Sequence, residues 1–324
     1  TIPKGVTSIG VEAFSGCSSL TSITIPKGVT SIGVKAFSGC SSLTNITLPE
    51  GLTSIGKSAY YKCTSLISIT LPENVTSIEE EAFSGCSSLA SINIPEEVTS
   101  IEDWAFSGCS GLTIIIIPED VTSIGKSVFS DCSSLADIIV ADRNKVYDSR
   151  EGCNAIIETV SNTLIQGCSK TIIPKSVTEI GYGAFRNCSN LTNITIPENV
   201  TSIGKLAFYK CTSLTGITIP KSVTSIEGWA FKGCSSLTSL LILKGVTSIG
   251  EQAFQNSGIT YLTILGKPTI NGKAFDGCEK LTDIYCYSEE TPPTRYRVFN
   301  GSDLSHITLH VPNYAMEQYK NTEP

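Results

Sequence analysis

A dipeptide, Ile-Pro or Leu-Pro, returns every 23 residues, with Pro at 3, 26, 49, 72, 95 and 118, and again at 174, 197 and 220. No other feature constrains the fold so strongly, because a unit this short cannot enclose a core of its own. Its apolar face can be buried only against a neighbouring copy, which predicts a solenoid. Two further rows keep the same period. All 11 Phe fall on one row, from Phe14 to Phe299, with Tyr60 in the vacant slot. Ten of the 13 Cys form another (17, 40, 63, 86, 109, 132, 188, 211, 234 and 278), and Ser257 stands where one is missing.

One unit shows how the rows are used. Ile23 and Ile25 alternate with Ser22 and Thr24, the period of a strand with one buried face. Pro26 lacks an N–H and belongs at that strand's end. Val29 and Ile32 face inward on a second short extended segment. Ala36, Phe37 and Cys40 have the spacing of one helical turn, too short to stand alone. About thirteen rungs spaced ~4.8 Å apart predict an arc of ~60 Å and a single solenoid over residues 1–324.

These residues resemble a known family. Leu20-x-x-Ile23-x-Ile25 matches the LxxLxL core of leucine-rich repeats. The 23-residue step, the Ile-Pro, the Val-Thr-Ser-Ile-Gly and the Ala-Phe-x-x-Cys resemble the BspA-like (Treponema-type) subclass. The resemblance implies an α/β-class leucine-rich-repeat solenoid of short strands and short helical turns, curved as a right-handed superhelix. It also implies an extracellular or cell-surface location, with any leader or anchor expected outside this chain. Such proteins come from host-associated bacteria and some protozoa, and some are adhesins for host cells or matrix.

The repeat breaks once. Between residues 141 and 174 the step is 33. Two apolar runs flank a polar turn there, so residues 141–173 read as a β-hairpin island. A loop centred on Val160 and Ser161 would set Cys153 opposite Cys168, where a disulfide is sterically possible. The alternative is two buried free thiols. The ladder cysteines read as buried thiols, and without a C-x-x-C pair a zinc ribbon is unsupported.

The outward strand positions are small and polar: Thr24, Thr47, Thr70 and Asn93 line the expected concave sheet. Ile114, Ile116 and Ile139 depart from that pattern just before the island. Either the island folds back over them or they form an exposed binding patch. Tyr261, Tyr285 and Tyr287 occupy outward slots of the last rungs, either for binding or to pack against a C-terminal cap.

Net charge is −7, which argues against general nucleic-acid binding. Residues 71–120 hold ten acids and no Lys or Arg. Glu73, Glu96, Glu97, Glu119 and Asp120 form an acidic rim, read either as solvated, as a dock for a basic partner, or as weak Ca²⁺ sites. Catalytic chemistry is missing. There are two His in the chain, His306 and His310, ~13 Å apart on an extended strand, too far to share one zinc. No G-x-S-x-G, P-loop, H-E-x-x-H or G-x-G-x-x-G occurs. Glu102 and Asp103 beside Trp104 resemble sugar-site chemistry only superficially.

The expected protein is therefore a non-enzymatic binding scaffold without cofactor or metal. Its partner is a protein or glycan macromolecule rather than nucleic acid; a structural spacer or an envelope glycan receptor are the alternatives. No apolar run reaches the ~18 residues of a membrane span, and there is no secretory leader. Thr1 begins inside a strand without a polar cap, so a longer parent chain is expected. Residues 300–324 read as the closing segment, with Tyr314, Met316 and Tyr319 covering the last rung.

Overall fold

The computed structural model describes residues 2–320; Thr1 and the last four positions of the closing segment lie outside the described residues. The chain forms two compact units, Thr1–Val160 with Cys168–Lys170, and Ser161–Gly167 with Thr171–Pro324. Each unit is a β-solenoid whose rungs have three sides.

The first side carries the Ile-x-Ile strands. In the first unit, Ser22–Thr24 pairs in parallel with Asn45–Thr47, Ser22 against Asn45 and Thr24 against Thr47. Ile114–Ile117 pairs likewise with Asp137–Val140. In the second unit Ser239–Ile242, Tyr261–Ile264, Asp283–Cys286 and Thr308–His310 form one parallel sheet. In the first unit these partners are 23 residues apart, the repeat length, whereas in the last rungs of the second the steps are 22, 22 and 25 and the strands still keep register. The second side carries two-residue strands, such as Ser31–Ile32 between Ser8–Ile9 and Ser54–Ile55. Pro26 connects the two sides: its carbonyl accepts from Val29 N at 3.0 Å, closing a turn.

The third side differs from its helical spacing. It is a run of turns, not a helix. Residues two before and two after the ladder aromatic both have positive φ: Lys35 (54°) and Gly39 (73°) around Phe37, Trp229 (60°) and Gly233 (76°) around Phe231. Two left-handed residues four apart break the i→i−4 pattern. The freed groups pair with the next rung instead: Lys35 N, Phe37 N and Gly39 N donate to the carbonyls of Lys57, Ala59 and Tyr61 at 2.7–2.9 Å. All three sides are therefore stitched by backbone bonds between rungs, which answers where each segment's polar groups go.

The core is built from the rows. Phe14 to Phe129, through Tyr60, stack with centroids 5.2–5.6 Å apart and planes within 6° of parallel. Phe185 to Phe299 form a second stack at 5.0–5.6 Å. Beside them run the thiols. Cys40 Sγ donates to Phe14 O at 3.1 Å, and Cys63, Cys86 and Cys109 repeat that bond to Phe37, Tyr60 and Phe83. A thiol is small enough for a crowded row and still supplies a donor. Cys17, on the first rung, is exposed.

The island has strands Ala155–Glu158 and Thr163–Gly167 on its two apolar runs. Ala155–Glu158 also pairs antiparallel with Tyr147–Asp148, which had no strand expectation. Asn144 anchors that hairpin: its Nδ2 donates to Pro118 O and Val121 O, and its Oδ1 accepts from Val146 N and Tyr147 N. At the other end a short helix, Met316–Lys320, brings the Tyr319 hydroxyl to 3.2 Å from Ser288 O. Of the three expected closing side chains, Tyr319 packs inward, whereas Tyr314 stands 73% exposed.

Candidate binding surfaces

The outward strand face of the first unit displays the expected polar column. Thr24, Thr47, Thr70 and Asn93 are all exposed, and Thr24 and Thr47 are direct cross-strand neighbours, as are Thr70 and Asn93. The column turns apolar at its end. Ile116 pairs with Ile139, and Ile114 with Asp137. Ile114, Ile116 and Ile139 are 36%, 50% and 44% exposed. The island strand of the same unit does not cover them: its Ile156 and Ile157 turn into the core. Three large aliphatic side chains thus lie in register in water. Of the acidic rim, Glu73, Glu96, Glu97 and Asp120 are exposed and Glu119 is half-buried.

In the second unit Tyr261 and Tyr287 are exposed, while Tyr285 is half-buried. The reason is His310, whose ring stacks on Tyr285 with centroids 4.3 Å apart and planes within 7°. His310 Nε2 also lies 2.8 Å from Asp283 Oδ1. The hydrogen bonds from His310 and Thr282 hold the Asp283 carboxyl below its ordinary range. His306 pairs with a different carboxylate, Asp303, at 2.7 Å. Among the described residues no cluster of His, Cys, Asp or Glu could hold a metal ion.

The other singled-out groups have structural roles. Asp103 Oδ1 accepts from Lys126 N at 2.6 Å on the next rung, so it fastens rungs together. Cys153 and Cys168 are thiols here: Cys153 Sγ lies 3.8 Å from Ala155 O, and Cys168 Sγ 3.1 Å from Ala136 O. Burial pushes the Cys153 thiol up to about 11.

One array escaped the reading by sequence. On the turn side of the second unit, cations lie over rings of the same or the next rung. Lys205 Nζ is 4.5 Å from the Trp229 centroid, and Arg186 Cζ and Lys210 Nζ are each 5.5 Å from that of Tyr209. The clue was present in the slot after the ladder aromatic, which in the first unit holds Ser15, Ser38, Ser84, Ser107 and Ser130, with a lone Tyr61 under Lys62, but Arg186, Tyr209 and Lys232 on consecutive rungs in the second.

No helix among the described residues is long and apolar enough to cross a membrane. Comparison with known proteins agrees with the repeat geometry. The chain is 31% identical to a leucine-rich cell surface protein of Faecalibacterium prausnitzii A2-165, over 100% of this chain and 82% of that one, with a TM-score of 0.75. A leucine-rich repeat protein of Eubacterium ventriosum is 25% identical over 96% of this chain and 83% of that one, with a TM-score of 0.58. The pneumococcal vaccine antigen PcpA, 23% identical over 97% and 82%, shares the fold with a TM-score of 0.79. No curated protein matches. The model of the BspA-type leucine-rich repeat region matches residues 1–78, 53–162, 158–282 and 266–320. This chain therefore belongs to the BspA-type leucine-rich repeat family.

Proposed function

We propose that this protein is a non-enzymatic, surface-displayed or secreted binding protein that engages a host or extracellular-matrix macromolecule through its outward strand face. The observation that carries the reading is the exposed triplet Ile114, Ile116 and Ile139, set at the end of a column otherwise made of Thr and Asn. An apolar patch rimmed by polar groups is the usual form of a protein-binding surface. The cell-surface description of the Faecalibacterium relative supports the location. A passive spacer has no use for three aliphatic side chains in water.

Burying the remaining exposed area of three Ile contributes about 3 kcal/mol, or roughly a hundredfold in affinity. The test is binding to immobilised fibronectin, fibrinogen, mucin and a glycan panel, at low and at physiological salt. Saturable binding to a matrix protein that survives salt, and that falls roughly a hundredfold in Ile116→Lys with Ile139→Lys, is the expected result. Binding unchanged by that pair would move the site elsewhere. Exposed Tyr261 and Tyr287 favour a second reading, glycan recognition by ring stacking, in which Tyr261→Ala alone abolishes glycan capture.

A further inference from the structure

The turn side of the second unit carries a second surface, unrelated to the Ile triplet. Its members are Arg186, Lys205, Tyr209, Lys210, Trp229 and Lys232, contributed by three consecutive rungs. Rings lie against three of the cations. Lys205 sits over Trp229, and Arg186 and Lys210 sit over Tyr209. Trp229 Nε1 and Lys232 Nζ both donate to Gln252 Oε1, at 2.6 and 3.2 Å, a neutral acceptor that orients both. Among the described residues no carboxylate forms an ion pair with Lys205, Lys210 or Lys232. Ring contacts fix a cation without cancelling its charge. A chain with net charge −7 therefore keeps a local, ordered positive surface.

Lys210 occupies the left-handed slot two residues after the ladder Phe, with φ of 54°. The same slot is glycine at 16, 39, 85, 108, 233, 277 and 301, and a polar or charged residue at Lys62, Asp131, Asn187 and Asn256, all with positive φ. A Lys there is tolerated at some backbone cost, and its side chain adds a cation beside Tyr209.

We infer that this surface binds a linear sulfated polysaccharide. Arg186 and Lys232 occupy the same slot two rungs apart, ~10 Å by the rung spacing, on the scale of a disaccharide rather than of successive nucleotides. DNA presents a phosphate every ~3.4 Å along each strand, denser than this array can meet. Glu227 and Glu251, both exposed, border the surface, and Asp276 follows Lys232 two rungs on in the same slot. The positive surface is thus a short stripe suited to one chain of spaced anions.

The experiment uses the whole chain and heparin as the probe, with poly(dT) and polyphosphate as competing polyanions. Immobilised heparin should retain the protein at low salt and release it as salt rises. Lys210→Gly, which installs the residue native to that slot elsewhere, should fold normally and weaken retention. With Lys205→Ala and Lys232→Ala added, affinity should fall about tenfold or more. Lys57→Ala with Lys62→Ala, in the first unit, should change nothing. Ile116→Lys with Ile139→Lys should also keep heparin binding, so the two surfaces succeed or fail separately. No retention, retention indifferent to the Lys205, Lys210 and Lys232 changes, or equal capture by poly(dT) would each overturn the assignment.

Discussion

Tyr60 shows at one position what the ladder asks of its members. Every other slot in the row is Phe, and the Tyr60 ring stacks between Phe37 and Phe83 as they require. Its hydroxyl, however, is buried without a hydrogen-bond partner. Burial also drives its ionisation well above the ordinary range. An unmet buried hydroxyl costs about 1–3 kcal/mol. Tyr60→Phe should therefore raise stability by about 1 kcal/mol, read as a higher urea midpoint at unchanged slope. A lower midpoint would mean that the hydroxyl has a partner in solution. The thiols make the opposite choice: each replaces a silent core group by a donor aimed at a carbonyl, and Cys86 Sγ reaches Tyr60 O at 3.2 Å.

At the scale of the element, the island fixes where the second aromatic stack begins. Gly167 ends the strand Thr163–Gly167, and its N–H donates to Ala184 O at 2.8 Å. A Cβ at Gly167 would overlap the Phe185 ring. The ring and the backbone thus share one space, and only glycine permits it. Gly167→Ala should destabilise the fold by about 1–3 kcal/mol, the cost of overpacking a rigid core, measured by denaturant unfolding. A neutral result would show that Phe185 can step aside. Gly277, by contrast, meets no ring and instead adopts a φ of 67°, in the left-handed slot that closes each turn. Ala-Phe-x-x-Cys has helical spacing, yet the glycine two residues after the Phe was the legible sign that the backbone reverses there.

The whole molecule responds to pH through its thiols. Burial pushes Cys63, Cys109 and Cys234 up to about 12 and Cys40 up to about 11, from an ordinary 9.0. In the unfolded chain these groups ionise from about pH 9, while the folded chain keeps them protonated. The unfolded state then binds fewer protons, so stability falls as pH rises. Stability from this source is complete below about pH 9 and is lost between about pH 9 and 12. Urea midpoints of the reduced protein at pH 7, 9 and about 10.5 should be level and then drop. A flat profile would mean that the thiols are already solvated in the native state. In the same native protein at pH 8, the buried thiols Cys63, Cys109 and Cys234 should resist alkylation until the chain is unfolded, as mass spectrometry of digested samples would show.

Sequence alone determined the architecture. A 23-residue period with Ile, Phe and Cys in constant slots can be satisfied only by stacking, because each apolar row needs the next copy to bury it. The outward Thr and Asn columns follow from the same alternation, and so do Ile114, Ile116 and Ile139. Tertiary structure decided what no periodicity encodes. Whether the island shields the three Ile depended on which way its own apolar side chains turn. Whether Tyr285 stands free depended on His310, 25 residues later, arriving over its ring. The contacts of Lys205 with Trp229 and of Arg186 with Tyr209 depended on side chains a full rung apart meeting across the turn side, where left-handed residues interrupt any helix. Local pattern dictates which face a residue occupies; only the packed rungs dictate which neighbour it meets there.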